Sequence, residues 1–349
     1  MKKITRRSSK NAVEENLLDA KPQKEDQVLD LTLRPQKLAE YVGQRQIKQS
    51  LEIFIQAAKR RQEALEHILL YGPPGIGKTT LANIIANEIG GNLKVISGPA
   101  IERIGDLASL LASLSPGDVL FIDEIHRLNT QAEELLYPAM EDSVLDIMLG
   151  KGPGAKNLRM ELPPLTIIGA TTKIGALSGP LRDRFGVTYR LDFYSDVEID
   201  DILKRSAKIL SIKLDSLARK EIAKRSRKTP RIANRLLKRV RDYAEVKGDG
   251  KITLEIAEKA LKMFNVDSKG LDEVDRQLLS ALIDKFDGGP VGLKTLAAAI
   301  AEDEETIECV CEPYLIRLGF LNRTAKGREA TDRAKEHLQR QKAKIKKQN

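Results

Sequence analysis

Four short apolar runs punctuate the first half of the chain: Ile68-Leu69-Leu70-Tyr71, Val119-Leu120-Phe121-Ile122, Leu165 to Thr172 and Val187 to Leu191. A fifth, Leu93 to Ser97, is weaker. Each is too short for a buried helix and is bounded by Gly, Pro or polar residues, which predicts buried strands. Between them apolar positions fall at helical spacing: Ile47, Leu51, Phe54, Ile55 and Ala58 over residues 47–61, a second run entered at Thr79, and a third from Ile104 to Leu114. Apolar strands alternating with helices predict an α/β fold, a parallel sheet with helices on both faces. Ligands of such sheets lie beyond the carboxyl ends of the strands. One insertion breaks the alternation. Val144 to Leu149 and Leu158 to Leu162 bracket Gly150-Lys151-Gly152-Pro153-Gly154 and read as a β-hairpin, either a structural flap or a protruding apolar element for a protein partner.

From Asp196 the strand pattern stops. Helical patterns at 197–210, 215–226, 231–246 and 253–263 predict a small all-helical domain, and Asp267-Ser268-Lys269-Gly270 reads as a linker. A third unit follows: a helix from Leu271 to Phe286, a break at Gly288-Gly289-Pro290, helices from Gly292 to Ala301 and Glu304 to Leu318, and a short hairpin over Gly319 to Arg328. Helix, helix-turn-helix and basic hairpin make the winged-helix arrangement. The expected organisation is a flexible tail over 1–30, a large α/β domain over 31–195, a helical domain over 196–266, a winged-helix unit over 267–338 and a basic tail over 339–349.

The chemistry gathers at the predicted strand ends. Gly72-Pro73-Pro74-Gly75-Ile76-Gly77-Lys78-Thr79 matches G-x-x-x-x-G-K-[ST], the phosphate-binding P-loop. Glycines let successive N–H groups turn toward phosphate oxygens, and the following helix start adds partial positive charge. Lys78 is then expected at the β/γ-phosphates and the Thr79 hydroxyl on Mg²⁺. Asp123 suits a second Mg²⁺ position, and Glu124 the base that deprotonates the attacking water. Thr172, or its neighbour Thr171, ends the next strand where it could sense the γ-phosphate. Leu181-Arg182-Asp183-Arg184 places two arginines before the last strand, either a surface pair with Asp183 or the source of an arginine supplied to another subunit. Arg231 follows Pro230 at a helix start, where a cation is unfavourable for the helix dipole and so hints at an external anion. Arg323 and Arg328 flank the wing turn with Lys326 between them, a set suited to phosphate contacts that carry no sequence information.

Composition narrows this further. The formal net charge of the 349-residue chain is +9, which favours a polyanionic partner. No apolar run approaches a membrane span, and the basic N-terminus has no apolar stretch behind it, so the expectation is a cytoplasmic protein with no membrane role. The two cysteines, Cys309 and Cys311, have no further Cys nearby to complete a zinc set and read as ordinary reduced thiols. His67, His126 and His337 are scattered and receive no metal or catalytic role.

Taken in order, the P-loop, Asp123-Glu124-Ile125-His126-Arg127, Gly169-Ala170-Thr171-Thr172, Leu181 to Gly186 and Thr229-Pro230-Arg231-Ile232-Ala233-Asn234-Arg235 resemble the motifs of AAA+ ATPases. With Gly288-Gly289-Pro290-Val291-Gly292 and Glu312-Pro313-Tyr314-Leu315-Ile316, the set resembles the RuvB family of Holliday-junction branch-migration ATPases, from about Leu33 to about His337. The resemblance implies an ATP hydrolase coupled to translocation on duplex DNA, working as a homohexamer in recombination and repair. It implies RuvA as a partner docked on the hairpin at 144–162, and RuvC alongside. It implies ATP and Mg²⁺ as cofactors. By match of motif, Gly75, Gly77, Lys78, Thr79 and Thr80 form Walker A, Asp123 and Glu124 Walker B, Thr172 sensor 1, Arg184 the finger reaching a neighbour's site and Arg231 sensor 2. Leu33, Arg34, Glu141, Asp142, Ser143 and Tyr194 match further nucleotide-contacting positions, and Arg323 and Arg328 match DNA contacts. Lys173 stands where an Arg often follows the Thr pair, and Lys228 where a Gly is common before Thr-Pro-Arg. Two other readings share some of these parts. An origin-initiator-like ATPase also carries a winged helix, and a nucleotide-gated DNA-binding regulator would need neither Glu124 nor Arg184.

Overall fold

The protein is described from a computed structural model covering residues 32–149 and 156–346. The expected tail over 1–30, the Gly150–Gly154 turn of the hairpin and the last residues of the basic tail lie outside the described residues. The first half runs α1 (Arg45–Arg61), β1 (Ile68–Tyr71), α2 (Lys78–Ile89), β2 (Leu93–Ser97), α3 (Ile104–Ala112), β3 (Val119–Asp123) and α4 (Thr130–Glu141). It continues with β4 (Val144–Leu149), β5 (Lys156–Glu161), β6 (Thr166–Thr171), α5 (Gly179–Asp183) and β7 (Val187–Arg190). β4 and β5 form the expected antiparallel hairpin. The remaining five strands make one sheet in the order β2-β3-β6-β1-β7, every pairing parallel.

The unbroken apolar runs are explained by burial on both faces. In β1, Ile68 and Leu70 enter one apolar cluster and Leu69 the other. β3 divides likewise, Val119 and Phe121 from Leu120 and Ile122. A period-two strand covered on both sides has no solvent face to mark with polar residues. Register aligns the carboxyl ends: Tyr71 lies beside Thr171 and Ser97 beside Asp123. The P-loop, Asp123-Glu124 and Thr171-Thr172 therefore leave the sheet at a common edge. Helix α4 has no counterpart among the elements expected from sequence; Asn129 caps it by accepting from the Ala132 N–H at 2.8 Å.

Four helices follow: α6 (Asp196–Ile209), α7 (Ser216–Arg225), α8 (Pro230–Lys247) and α9 (Leu254–Met263). This unit is not purely helical. Lys213–Leu214 and Lys251–Ile252 pair as two-residue parallel strands, β8 and β9. Two residues are too few to show alternation, so the sequence pattern carries no sign of them. The apolar residues of this unit are continuous with one face of the sheet, Ile199 to Val266 joining Ile68, Leu70 and the inner side of α2 in a single cluster.

The winged-helix unit has its own core. It runs α10 (Glu273–Ser280), α11 (Leu293–Ile300), α12 (Glu304–Thr306), α13 (Glu312–Arg317), strands β10 (Leu321–Thr324) and β11 (Gly327–Ala330), and α14 (Asp332–Lys346). Two helices expected to be continuous loosen into π turns, at Ala281–Lys285 and at Ile307–Cys311. Pro313 has no N–H to return to the preceding turn, which accounts for the second. Buried Arg227 joins this unit to the helical one: its guanidinium contacts the carboxylates of Asp272, at 2.9 Å, and Asp275, and its Nε–H donates to the Gly270 carbonyl at 3.0 Å.

Candidate active site

The P-loop bends where its sequence demands glycine. Gly72 has φ 148° and Gly77 φ 101°. A Cβ on Gly72 would lie 2.3 Å from the Leu191 carbonyl oxygen, and one on Gly77 3.0 Å from the Tyr41 hydroxyl. Helix α2 starts at Lys78 with no side-chain cap and no acidic residue in its first turn. Its first N–H groups are thus left for an anion. Lys78 is 7% exposed, and its ammonium donates to the carbonyls of Gly72 at 2.9 Å and Pro73 at 3.0 Å. Burial pushes its pKa down to about 8, against the pull of Glu124 and Asp123. Burial raises the Asp123 carboxyl, and the neighbouring Glu124 charge adds to it. A buried ammonium beside two carboxylates at the mouth of a helix is a charge set suited to phosphate and a divalent cation.

Glu124 has φ 47°, which turns the chain sharply out of β3. Its Oε2 accepts from the Thr172 hydroxyl at 3.1 Å and lies 3.3 Å from His126 Nδ1. Thr171 is fully buried; its hydroxyl meets His126 Nδ1 and accepts from the Lys173 N–H, both at 2.9 Å. Of the two threonines, Thr172 is the one at the carboxylate. His126, given no role from sequence, stands between the two strand-end loops. His67 bridges the Met140 carbonyl and the Ile167 N–H, a structural position.

One cleft gathers Leu33, Arg34, Gly75, Gly77, Lys78, Thr79, Thr80, Asp123, Glu124, Tyr194 and Arg231. The helical unit closes it. The Arg231 N–H donates to the Gly75 carbonyl at 3.4 Å, and the Tyr194 hydroxyl contacts both the Tyr41 hydroxyl at 3.1 Å and the Ile76 carbonyl at 3.2 Å. Burial pushes Tyr194 up to about 12. Lys228 takes φ 57°, the left-handed conformation in which a Gly would be unstrained, and donates to Asp196 at 3.1 Å. Tyr41, Arg205 and Asn234 also line the cleft, and sequence reasoning does not find them. Arg205 donates to the Leu33 carbonyl at 2.6 Å, so it holds the entering segment. The only sequence signal for these residues is a polar or aromatic interruption on a helical face, which singles out nothing by itself.

Four expected nucleotide positions are not in this cleft. Arg184 packs against α4, its guanidinium 4.2 Å from the Tyr137 ring centre and donating to the Pro180 carbonyl at 2.7 Å and to Glu141 at 3.1 Å. Its Nε is buried without a hydrogen-bond partner. Glu141 and Asp142 are exposed on the same side, as is Ser143 at φ 53°. Arg182 pairs loosely with Asp183 at 3.9 Å. In the winged-helix unit, Arg323 and Arg328 face each other across the hairpin but differ in kind. Arg323 is 55% exposed, whereas Arg328 is 9% exposed and donates to Glu312 at 2.6 and 3.3 Å. The two expected DNA contacts thus differ in setting: Arg328 is turned inward by a buried carboxylate, and Arg323 is the arginine offered to solvent.

Mg²⁺ is the metal such a site implies. Among the described residues no group of three or more His, Cys, Asp and Glu could hold a metal alone. Mg²⁺ needs only one or two protein oxygens besides phosphate and water. Thr79 and Asp123 line the same cleft and fit it. No helix among the described residues is long and apolar enough to cross a membrane.

Three family models match in order. Residues 33–191 match the Holliday junction DNA helicase RuvB P-loop domain, 194–267 the RuvB AAA lid domain, and 268–339 the RuvB C-terminal winged helix domain. Among solved structures, the Thermotoga maritima RuvB Holliday junction branch migration motor superposes with TM-score 0.81 and 48% identity, covering 88% of this chain and 98% of that one. A single-residue variant of the same Thermotoga maritima protein superposes with TM-score 0.82 at 48% identity over the same shares.

Proposed function

The chain belongs to the RuvB family of Holliday junction branch-migration motors, and we propose a division of labour by which it hydrolyses ATP while moving duplex DNA. The P-loop N–H groups and Lys78 hold the phosphates. Thr79 and Asp123 would hold Mg²⁺, which supplies charge neutralisation on the phosphates when bound. Glu124 takes the proton of the attacking water, and Thr172 fixes the position of that carboxylate. Tyr194, Leu33 and Arg34 close over the nucleoside side, and Arg231 carries its presence to the helical unit.

The observation that carries the reading is the separation of Arg184 from the cleft. Lys78, Glu124 and Thr172 converge, while Arg184 is absent from the cleft lining and pairs instead with Glu141, next to Asp142 and Ser143. An arginine outside its own cleft is placed to complete the site of a neighbouring subunit, which supports a homohexameric ring around duplex DNA. The hairpin β4–β5 stands apart from the sheet, with Val144 and Leu145 buried at its root and Leu158 exposed, and is the proposed RuvA dock. RuvC is the proposed third partner at the junction. The wing offers Arg323 to the DNA backbone.

The test is ATP-driven dissociation of a synthetic four-way junction with RuvA added, for the wild type, Glu124→Gln and Arg184→Ala. The wild type separates the junction and both variants bind nucleotide without separating it. A wild type that binds DNA but never moves the junction ends the motor reading. Normal hydrolysis by assembled Arg184→Ala ends the assignment of the finger.

A further inference from the structure

The winged-helix unit touches the large domain through residues that neighbour the hydrolytic pair. Arg127 Nη2 donates to both oxygens of Glu305, at 3.0 and 3.1 Å, and Lys173 Nζ donates to Glu308 Oε2 at 2.9 Å. Arg127 is three residues past Glu124 and its N–H donates to the Glu124 carbonyl at 2.9 Å. Lys173 follows Thr172 directly, and its N–H donates to the Thr171 hydroxyl at 2.9 Å. Both cations are thus tied by their backbones to the two loops that carry Glu124 and Thr172.

Glu308 has a second partner. Its Oε1 accepts from Arg323 Nη2 at 3.3 Å. The same carboxylate lies between the cation of the sensor loop and the exposed cation of the wing. It sits at the π turn, where helical hydrogen bonding is already loosened. The Lys173 ammonium holds the Glu308 carboxyl below its ordinary range, with Arg323 acting in the same direction. Glu308 in turn holds Lys173 up. Partly exposed ion pairs of this kind are individually weak, so partners can be exchanged without unfolding anything.

We propose that Glu308 is a positioning residue that couples phosphate engagement at the wing to the Glu124–Thr172 pair of the same subunit. A DNA phosphate on Arg323 draws that cation off Glu308. The carboxylate is then left to Lys173 alone, and the change is delivered through the Lys173 backbone to Thr172 and from its hydroxyl to Glu124. The link rests on the proposed roles of Arg323 and Glu124 but adds a route between them that neither role requires.

The test compares steady-state ATP hydrolysis by the full chain, with and without saturating duplex DNA, alongside DNA affinity and junction dissociation with RuvA. Glu308→Gln should keep the basal rate and the KM for ATP of the wild type. Because Arg323 then has no Glu308 charge to leave, DNA should bind at least as tightly as to the wild type, yet DNA stimulation should fall by about fivefold or more, the size of a typical coupling between sites. The double charge swap Lys173→Glu with Glu308→Lys restores an ion pair between the domains but sets the introduced ammonium against Arg323, so stimulation should stay lost. Wild-type stimulation in Glu308→Gln overturns the proposal. Recovery in the swapped protein also overturns it, because Glu308 would then only dock the domain. A wild type that neither responds to DNA nor moves a junction is a different failure, that of the motor reading itself.

Discussion

Lys78 is a charged group kept in a place that disfavours charge. Burial lowers it to about 8, and bound phosphates favour the ammonium, so its pKa must be higher in the complex than in the free protein. ATP affinity is therefore level while Lys78 is protonated in both states and falls as pH rises through about 8. Nucleotide titrations from about pH 6.5 to 9.5 should show up to tenfold weaker binding per unit on the alkaline side, because one unit of pKa is one decade of equilibrium. The decline should vanish in Lys78→Met, which binds weakly throughout; a flat wild-type profile contradicts the assignment. The neighbouring glycine is equally constrained. Gly77→Ala must adopt φ 101° with its methyl against the Tyr41 hydroxyl, and nucleotide binding should drop sharply while the rest of the chain stays folded. The residue scale also separates two threonines that look alike in sequence. Both follow an apolar strand, but register buries Thr171 beside His126 and sends Thr172 to Glu124.

At the scale of elements, the joint between the sheet and the helical unit is a capping box. The Ser195 hydroxyl accepts from the Glu198 N–H at 3.2 Å, and the Glu198 carboxylate accepts from the Ser195 N–H at 2.7 Å. Ser195→Ala should cost about 1 kcal/mol in urea unfolding, the usual cost of a lost cap, with no change in the denaturant slope. Because Tyr194 precedes this cap and contacts the P-loop carbonyl of Ile76, the same variant should also weaken nucleotide binding. An unchanged affinity would mean that Tyr194 is held by Tyr41, Ile76 and the Lys228 carbonyl without help from the cap. Most elements are legible in the pattern of the chain, since strands buried on two faces and amphipathic helices each leave a period behind. The exceptions have physical causes. The β8–β9 pair is too short to carry a period. The π turns widen the helix for a single turn of five residues, too short a stretch to leave a period of its own.

At the scale of the molecule, two joints matter. The first lies within the chain: Arg227 holds the winged-helix unit to the helical unit against Asp272 and Asp275, and burial pushes Asp275 up to about 7. Arg227→Met leaves two carboxylates without their cation and should cost about 3–5 kcal/mol, as broken buried pairs do, with the winged-helix unit becoming protease-sensitive first. The second joint is between copies. If Arg184 acts on a neighbour, inactive Glu124→Gln and inactive Arg184→Ala should regain part of the hydrolysis when mixed, since some interfaces then carry an intact Glu124 opposite an intact Arg184. Mixtures that stay silent at every ratio would place the finger within its own subunit. The sequence by itself determined what each strand end carries: a loop that must bind phosphate, an acidic pair, a threonine pair and a late arginine, in that order along the chain. Those are local facts, set by spacing and by which residues glycine, proline and helix starts admit. Tertiary structure decided the partners: Glu312 turning Arg328 inward, Thr172 on Glu124, Arg184 kept out of the cleft, and Glu308 shared between Lys173 and Arg323. These depend on burial and on charges far apart in sequence meeting at one point, and no periodicity along a chain encodes which distant carboxylate a given cation will face.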